Sequence, residues 1–123
     1  MARILLIDDD PLVLETLTGG LIAAGHEVVP ASDGDEGLAL LAKERIDIVV
    51  TDIIMPRREG IETILELRAR QADVPIIAIS GGGRNSNLQF LKVAEKLGAT
   101  RTLQKPFSLS RLNQLIAECL PPQ

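Results

Sequence analysis

Four places in the 123-residue sequence gather residue types that can do chemistry together. Asp8, Asp9 and Asp10 stand in a row directly after the apolar stretch Ile4-Leu5-Leu6-Ile7. Asp52 closes a second apolar stretch, Ile48-Val49-Val50-Thr51, and Ile53-Ile54-Met55-Pro56 follows it. Ser80 ends a third stretch that begins at Pro75, and Gly81-Gly82-Gly83 comes next. Lys105 follows a fourth, Arg101 to Gln104, and precedes Pro106. Taken singly, these residues invite plainer readings, since Asp caps turns, adjacent acids are often solvated, and Gly-Gly-Gly is common in flexible loops. Taken together they point to a phosphoryl site. Three acids supply hard oxygen ligands, and so small a protein ligand set favours Mg²⁺, which keeps several waters, over Ca²⁺. One lysine and one hydroxyl beside such an ion suit a species with oxygens on several sides. The Ser80 stretch is not a P-loop, because no Gly-Lys-Ser/Thr follows at the required spacing.

For the four places to meet, the apolar stretches must be neighbouring strands. Continuous β-branched runs without polar alternation suggest strands buried on both faces, as in a parallel sheet covered by helices. Segments at helical spacing lie between them. Pro11 to Ala24 brings Val13, Leu14, Leu17, Leu21 and Ile22 near one face, with Asp10 as cap, Pro11 at the first helical position and Gly25 as the stop. Glu27 to Ala31 reads as a strand, and Asp33 with Glu36 opens a helix that carries Leu38, Leu40 and Leu41 and reaches about Glu44. Pro56 takes the chain out of the sheet, and Ile61, Ile64, Leu65 and Leu67 form a helix to about Gln71. A further helix runs from about Leu88 to Leu97 and stops at Gly98. Ser108 caps the last, in which Leu109, Leu112, Leu115, Ile116 and Cys119 recur at helical spacing. Five strands alternating with five helices, joined by connections too long for hairpins, indicate an α/β fold with a parallel sheet and right-handed crossovers. Such sheets bind ligands at the carboxyl ends of their strands, where all four polar places fall. His26 has no second His or Cys to complete a ligand set and reads as a surface residue; Cys119 reads as a core residue.

Composition fits one globular domain with a real core, 46% of residues being hydrophobic and 24% charged. A net charge of -4 and a pI near 5.0 argue against nucleic acid as a direct partner. The absence of Trp and Tyr, with only two Phe, removes the platforms on which bases stack. One cysteine leaves no internal disulfide and no thiolate metal cluster. The first apolar stretch is too short for a signal sequence or a membrane span, so the chain is read as cytoplasmic, without membrane insertion.

With these residues the chain resembles a receiver domain of the two-component response regulators, in its stand-alone, chemotaxis-regulator-like form. The likeness runs from Arg3 to Leu120. Ile-Asp-Asp-Asp-Pro at 7–11, Thr-Asp-Ile-Ile-Met-Pro at 51–56, Ser80-Gly81 and Gln-Lys-Pro-Phe at 104–107 match the family's motifs in order. The resemblance implies a single domain over residues 1–123, a doubly wound, flavodoxin-like (βα)5 sheet of order 2-1-3-4-5. It implies that a sensor histidine kinase or a histidine phosphotransfer protein donates a phosphoryl group to Asp52, and that no enzymatic activity exists beyond this self-directed transfer and slow autodephosphorylation. Asp9 and Asp52 would bind Mg²⁺ directly with the backbone carbonyl of Ile54, and Asp8 would act through a water. Lys105 would neutralise charge on the transferring group. Ser80 would bond a phosphoryl oxygen afterwards and shift the surface between two conformations for an unknown downstream protein. The Lys105–Pro106 bond is expected to be cis.

The chain also departs from the family's pattern. Thr102 stands where the family commonly has Tyr or Phe, so the family's aromatic relay is not expected here. The segment from Gly81 to Asn87 is longer than usual and is expected to be mobile until phosphorylation orders it. No linker or output domain is visible, so output would pass through contact with another protein or onward phosphoryl transfer. Two other classes stay open. Asp8 with Asp10 would also suit a small aspartyl-nucleophile phosphatase of the haloacid-dehalogenase type, and the same fold would serve as a pseudo-receiver that only binds partners.

Overall fold

All five residues of β3 (Ile48–Asp52) and of β4 (Ile76–Ser80) are buried, as expected of strands covered on both faces. They belong to a computed structural model of the chain that describes residues 2–53, 60–71, 73–80, 92 and 94–120. With β1 (Arg3–Ile7), β2 (Glu27–Ala31) and β5 (Arg101–Gln104) they form one five-stranded sheet, ordered β2-β1-β3-β4-β5. Every pairing is parallel. Helices α1 (Pro11–Ala23), α2 (Gly34–Lys43) and α3 (Gly60–Arg70) connect the strands, helical backbone recurs at Lys92 and residues 94–97, and a C-terminal helix spans Leu109–Cys119. The doubly wound α/β fold expected from the sequence is therefore the fold observed.

Side chains alternate across the sheet and divide the core in two. Leu5, Ile7, Val49, Ile53, Ile76 and Ala78 pack with Leu38, Leu41, Ile64, Leu67 and Ala94, on the side of α2, α3 and residues 94–97. Ile4, Leu6, Ile48, Val50, Ile77, Ile79 and Leu103 pack with Leu21, Leu112, Leu115 and Ile116, on the side of α1 and the C-terminal helix. Both faces of each central strand are thus spent on apolar packing, and only the strand ends remain for chemistry.

The helix ends carry the signals read from the sequence. Asp10 accepts the Leu12 and Val13 N–H groups at 3.0 and 3.4 Å, capping α1 ahead of Pro11. Gly25 takes φ of +98° just beyond that helix, the left-handed conformation a glycine stop supplies. Asp33 accepts the Glu36 N–H, and the Glu36 carboxylate reaches back to the Ser32 N–H. At the opposite end of the sheet, the Arg68 guanidinium donates to the carbonyls of Gly98 at 2.6 Å and Val74 at 2.7 Å, tying α3 to the connections that lead into β5 and β4. The element edges differ slightly from expectation: β1 starts at Arg3, α1 stops at Ala23, and β4 starts after Pro75, whose carbonyl still accepts the Val49 N–H. His26 is not a bare surface residue. Its Nδ1 accepts the Ala2 N–H at 3.1 Å, and partial burial lowers its pKa from the ordinary 6.5. Cys119, read as a core residue, is only half-buried at the margin of the second apolar cluster, and burial raises its pKa.

One close approach fixes how α2 lies on the sheet. A Cβ placed on Gly37 would collide with Ile7 Cδ1, and Ile7 is itself almost wholly buried under α2. Gly37→Ala is therefore expected to destabilise by about 1–2 kcal/mol despite the better helix propensity of Ala. Adding Ile7→Val, which deletes the colliding methyl, should return part of that loss. Urea unfolding of the single and double variants checks this, and a double variant no more stable than Gly37→Ala alone would contradict it.

Candidate functional site

β1 stops at Ile7, but the next residue continues its course. The Asp8 N–H donates to the Ala31 carbonyl at 3.1 Å, and the Asp8 carboxylate accepts the Asp10 N–H at 2.9 Å. Position 8 continues the alternation of Ile4 and Leu6, as Asp52 continues that of Ile48 and Val50. Both acids therefore emerge above the same apolar cluster, on the two strands that flank the point where the sheet's order reverses. Asp8 is 2% exposed and Asp52 6%. Asp9, by contrast, faces solvent. Carboxylate oxygens of Asp8, Asp9 and Asp52 lie within 4.8 Å of one another, the only such acidic, His or Cys group of three among the described residues.

Lys105 enters from β5. Its backbone N–H donates to the Ser80 carbonyl at 2.8 Å, the Lys105–Pro106 peptide is cis, and Phe107 packs on the second apolar cluster. The ammonium donates to Asp52 Oδ2 at 3.1 Å and stands 3.6 Å from Asp8 Oδ2. Ser80 is fully buried at the end of β4, where its position continues the alternation of Ile76 and Ala78 and so belongs to the opposite face of the sheet from Asp52. Thr102 pairs with Ala78, shares that face and is half-buried. The structure thus brings Asp8, Asp9, Asp52 and Lys105 into one cluster with Ser80 at its sheet edge. Ile54 and Gly81 to Asn87 lie outside the described residues, as does most of the segment from Leu88 to Val93.

Burial raises the Asp8 pKa from 3.8; the Asp10 N–H and Lys105 act against that rise, and the neighbouring Asp52 and Asp9 add to it. For Lys105, burial works to lower the pKa, but the charges of Asp52 and Asp8 outweigh it and leave it raised above 10.5. One ammonium among three carboxylates, two of them nearly buried, leaves an excess of negative charge. Hard oxygen donors, mutual spacing and unbalanced charge all fit a divalent cation of the Mg²⁺ type.

Two features were not read from the sequence. Asp8 proves to stand in ion-pair contact with Lys105 as well as beside the other acids, and the Thr51 hydroxyl donates to the Asp52 backbone carbonyl at 3.0 Å. A threonine preceding the central aspartate was the available signal for the second.

Comparison with known proteins agrees with the geometry. Residues 4–117 match the family model of the response regulator receiver domain. Over 115 residues the chain is 40% identical to the response regulator MprA of Mycolicibacterium vanbaalenii, covering 89% of this chain and 46% of that protein. It is 31% identical over 121 residues to the probable C4-dicarboxylate response regulator DctR of Bacillus subtilis, covering 93% and 50%. Among solved structures, a response regulator receiver domain protein from Clostridium thermocellum superposes with a TM-score of 0.90 at 31% identity, covering 97% of this chain and 94% of that one. The Vibrio cholerae chemotaxis protein CheY4 superposes with a TM-score of 0.87 at 30% identity, covering 98% and 99%. The chain belongs to the response regulator receiver domain family, the switch modules of two-component signalling. It spans about half the length of the curated relatives it matches.

The raised Asp8 pKa has a measurable consequence. A carboxyl whose pKa is higher folded than unfolded stabilises the fold fully only below its unfolded value and loses that contribution as pH rises through the folded one. Charged Asp8 therefore weighs against the fold at neutral pH. Asp8→Asn keeps the oxygen that accepts the Asp10 N–H and removes the charge, so in EDTA at pH 7 it should melt higher than the parent by roughly 3–6 °C, corresponding to about 1 kcal/mol. The gap should narrow toward pH 4 and on adding Mg²⁺. A variant that melts lower than the parent in EDTA at pH 7 would mean that the acids do not repel one another as described.

Proposed function

We propose that this chain is the phosphoacceptor of a two-component phosphorelay, taking a phosphoryl group from a phosphohistidine onto Asp52. The observation that carries this reading is the Lys105 ammonium 3.1 Å from Asp52 Oδ2, in a cluster whose three carboxylates lie within 4.8 Å of one another. An Asp52 oxygen attacks phosphorus, the phosphorus–nitrogen bond breaks, and the donor imidazole leaves with the bonding pair and is protonated by water. The product is an acyl phosphate on this protein. Asp8, Asp9 and Asp52, with the Ile54 carbonyl that the family resemblance adds, would hold Mg²⁺, which would supply positive charge to shield the phosphoryl oxygens. Lys105 gives up its bond to Asp52 and takes an oxygen of the arriving group. Ser80 donates its hydroxyl to another oxygen after transfer, which draws the end of β4 toward the site and biases the surface between two conformations.

The donor is a sensor histidine kinase or a histidine phosphotransfer protein in the cytoplasm, and the reader of the switched surface is a protein partner. The chain then has no catalytic turnover of its own beyond self-phosphorylation and slow loss of the phosphoryl group. A phosphatase using Asp8 and Asp10 is disfavoured by one observation: the exposed Asp10 spends its carboxylate on the Leu12 and Val13 N–H groups and caps α1 instead of facing the site. No described helix is long and apolar enough to cross a membrane.

Incubation with a phosphorylated histidine kinase or with acetyl phosphate, with and without Mg²⁺, tests the reading. Asp52 alone should carry acid-stable, hydroxylamine-labile phosphate, EDTA should abolish labelling, and Asp52→Asn should take up none. Lys105→Ala should slow transfer by about 10²-fold, the usual effect of removing one donor to a developing charge. Phosphate retained on Asp8 or Asp10 in Asp52→Asn would favour the phosphatase, and an unlabelled parent protein a pseudo-receiver.

A further inference from the structure

We propose that His26 is a pH-sensitive latch: its neutral imidazole holds the backbone of Ala2 where the chain enters β1, and uptake of a proton at Nδ1 releases it. Ala2 is 3% exposed and belongs to the apolar cluster of α1 and the C-terminal helix, so its N–H needs a partner within the protein. That partner is His26 Nδ1, at 3.1 Å. An imidazole nitrogen accepts a hydrogen bond only through a free lone pair, which fixes the neutral ring as the tautomer that carries its hydrogen on Nε2. In the protonated ring both nitrogens are donors, and N–H would face N–H. The bond to Ala2 is then lost outright.

The turn that carries the ring is itself anchored. Gly25, at φ of +98°, follows α1, the His26 N–H donates to the Leu21 carbonyl at 3.1 Å, and the Glu27 N–H donates to the Ala2 carbonyl at 2.9 Å. Ala2 is thus held by two consecutive residues, its N–H by a group that titrates and its C=O by one that does not. Release of the first leaves the second, so the loosening stays at Ala2, ahead of the β1–β2 pairing that opens with Arg3 opposite Glu27. The other charges at this end of the sheet engage one another: Arg3 with Glu27 and Glu44, and Arg45 with Asp47, whose other oxygen accepts the Arg3 N–H. Burial, and after it the positive charge of the amino terminus, oppose a proton on the ring and lower its pKa from 6.5. A base whose pKa is lower folded than unfolded contributes stability that is complete above the unfolded value and is lost as pH falls through the folded one. The latch is therefore closed at neutral pH and opens in acid, the reverse of the trend that Asp8 sets.

An NMR titration of the whole chain tests this independently of the chemistry at Asp52. At neutral pH the ring nitrogen shifts of His26 should be those of the Nε2–H tautomer. The Ala2 amide shift should follow the His26 titration with the same midpoint, below 6.5. One pH unit under that midpoint the Ala2 amide, corrected for its intrinsic pH dependence, should exchange about 10-fold faster, because the closed form requires the neutral ring. Glu27 amide protection should stay close to its neutral-pH value. His26→Asn, whose Oδ1 stands near the place of Nδ1 and takes up no proton in this range, should keep Ala2 protected in acid, and His26→Phe, with no acceptor, should leave it unprotected at every pH. A neutral ring with its hydrogen on Nδ1, an Ala2 amide that ignores the His26 midpoint, or an Asn variant that loses Ala2 protection in acid as the parent does would each overturn the proposal. The first two of these outcomes are read on the parent protein alone, so a variant that fails to fold leaves the test intact.

Discussion

The rest of the structure depends on holding two nearly buried carboxylates, Asp8 and Asp52, side by side at the edge of a sheet. Removing a charge from water costs several kcal/mol per ion, and like charges so close add to that cost. Lys105 offsets part of it through its contacts with both acids, and its raised pKa is the reciprocal sign of that pairing. The offset is incomplete, because Asp9 brings a further charge and Asp8 is still pushed toward its protonated form. What keeps the acids in place is apolar: the strands beneath them carry Ile, Leu and Val on both faces, packed into two layers of helices. The core stabilises the fold, and the strand ends hold an electrostatic imbalance that a cation or a phosphoryl group can change.

Much of this was legible in the sequence because the signals were local. A run such as Ile48-Val49-Val50 has no polar alternation to leave one face in water, and Asp10-Pro11 and Asp33 with Glu36 spell helix starts that the hydrogen bonds bear out. The convergence of Asp8, Asp9, Asp52 and Lys105 could be anticipated once the strands were taken as parallel, since parallel order puts all carboxyl ends on one edge. The strand order itself came from resemblance, because residues 4–7 and 48–52 do not say which strands they pair with. Nor did the chain announce that His26 would accept from the Ala2 N–H, or that Thr51 would turn its hydroxyl to the next carbonyl. Those bonds depend on a residue's place in the assembled sheet, which no spacing along the chain encodes.

Thr102 shows how one substitution alters the neighbourhood without altering the fold. It pairs with Ala78 on the face that Ser80 also belongs to, so two small residues and a threonine line the region where a larger ring would fill space. A side chain with a single χ angle and a short reach cannot trade an inward for an outward rotamer over any great distance. Thr102, small and half-buried, brings no aromatic ring to this position.

The alternation of side chains gives the sheet the role of a partition. Asp8 and Asp52 belong to the compartment of α1 and the C-terminal helix, Ser80 to that of α2, α3 and residues 94–97. On the proposed reading, a single tetrahedral group held between Asp52 and Ser80 would straddle the rim of that wall and pull on both sides of it. One covalent event could then be announced on two outer surfaces facing away from each other, with no message crossing the interior, and two different readers could consult the same molecule without competing for the same patch.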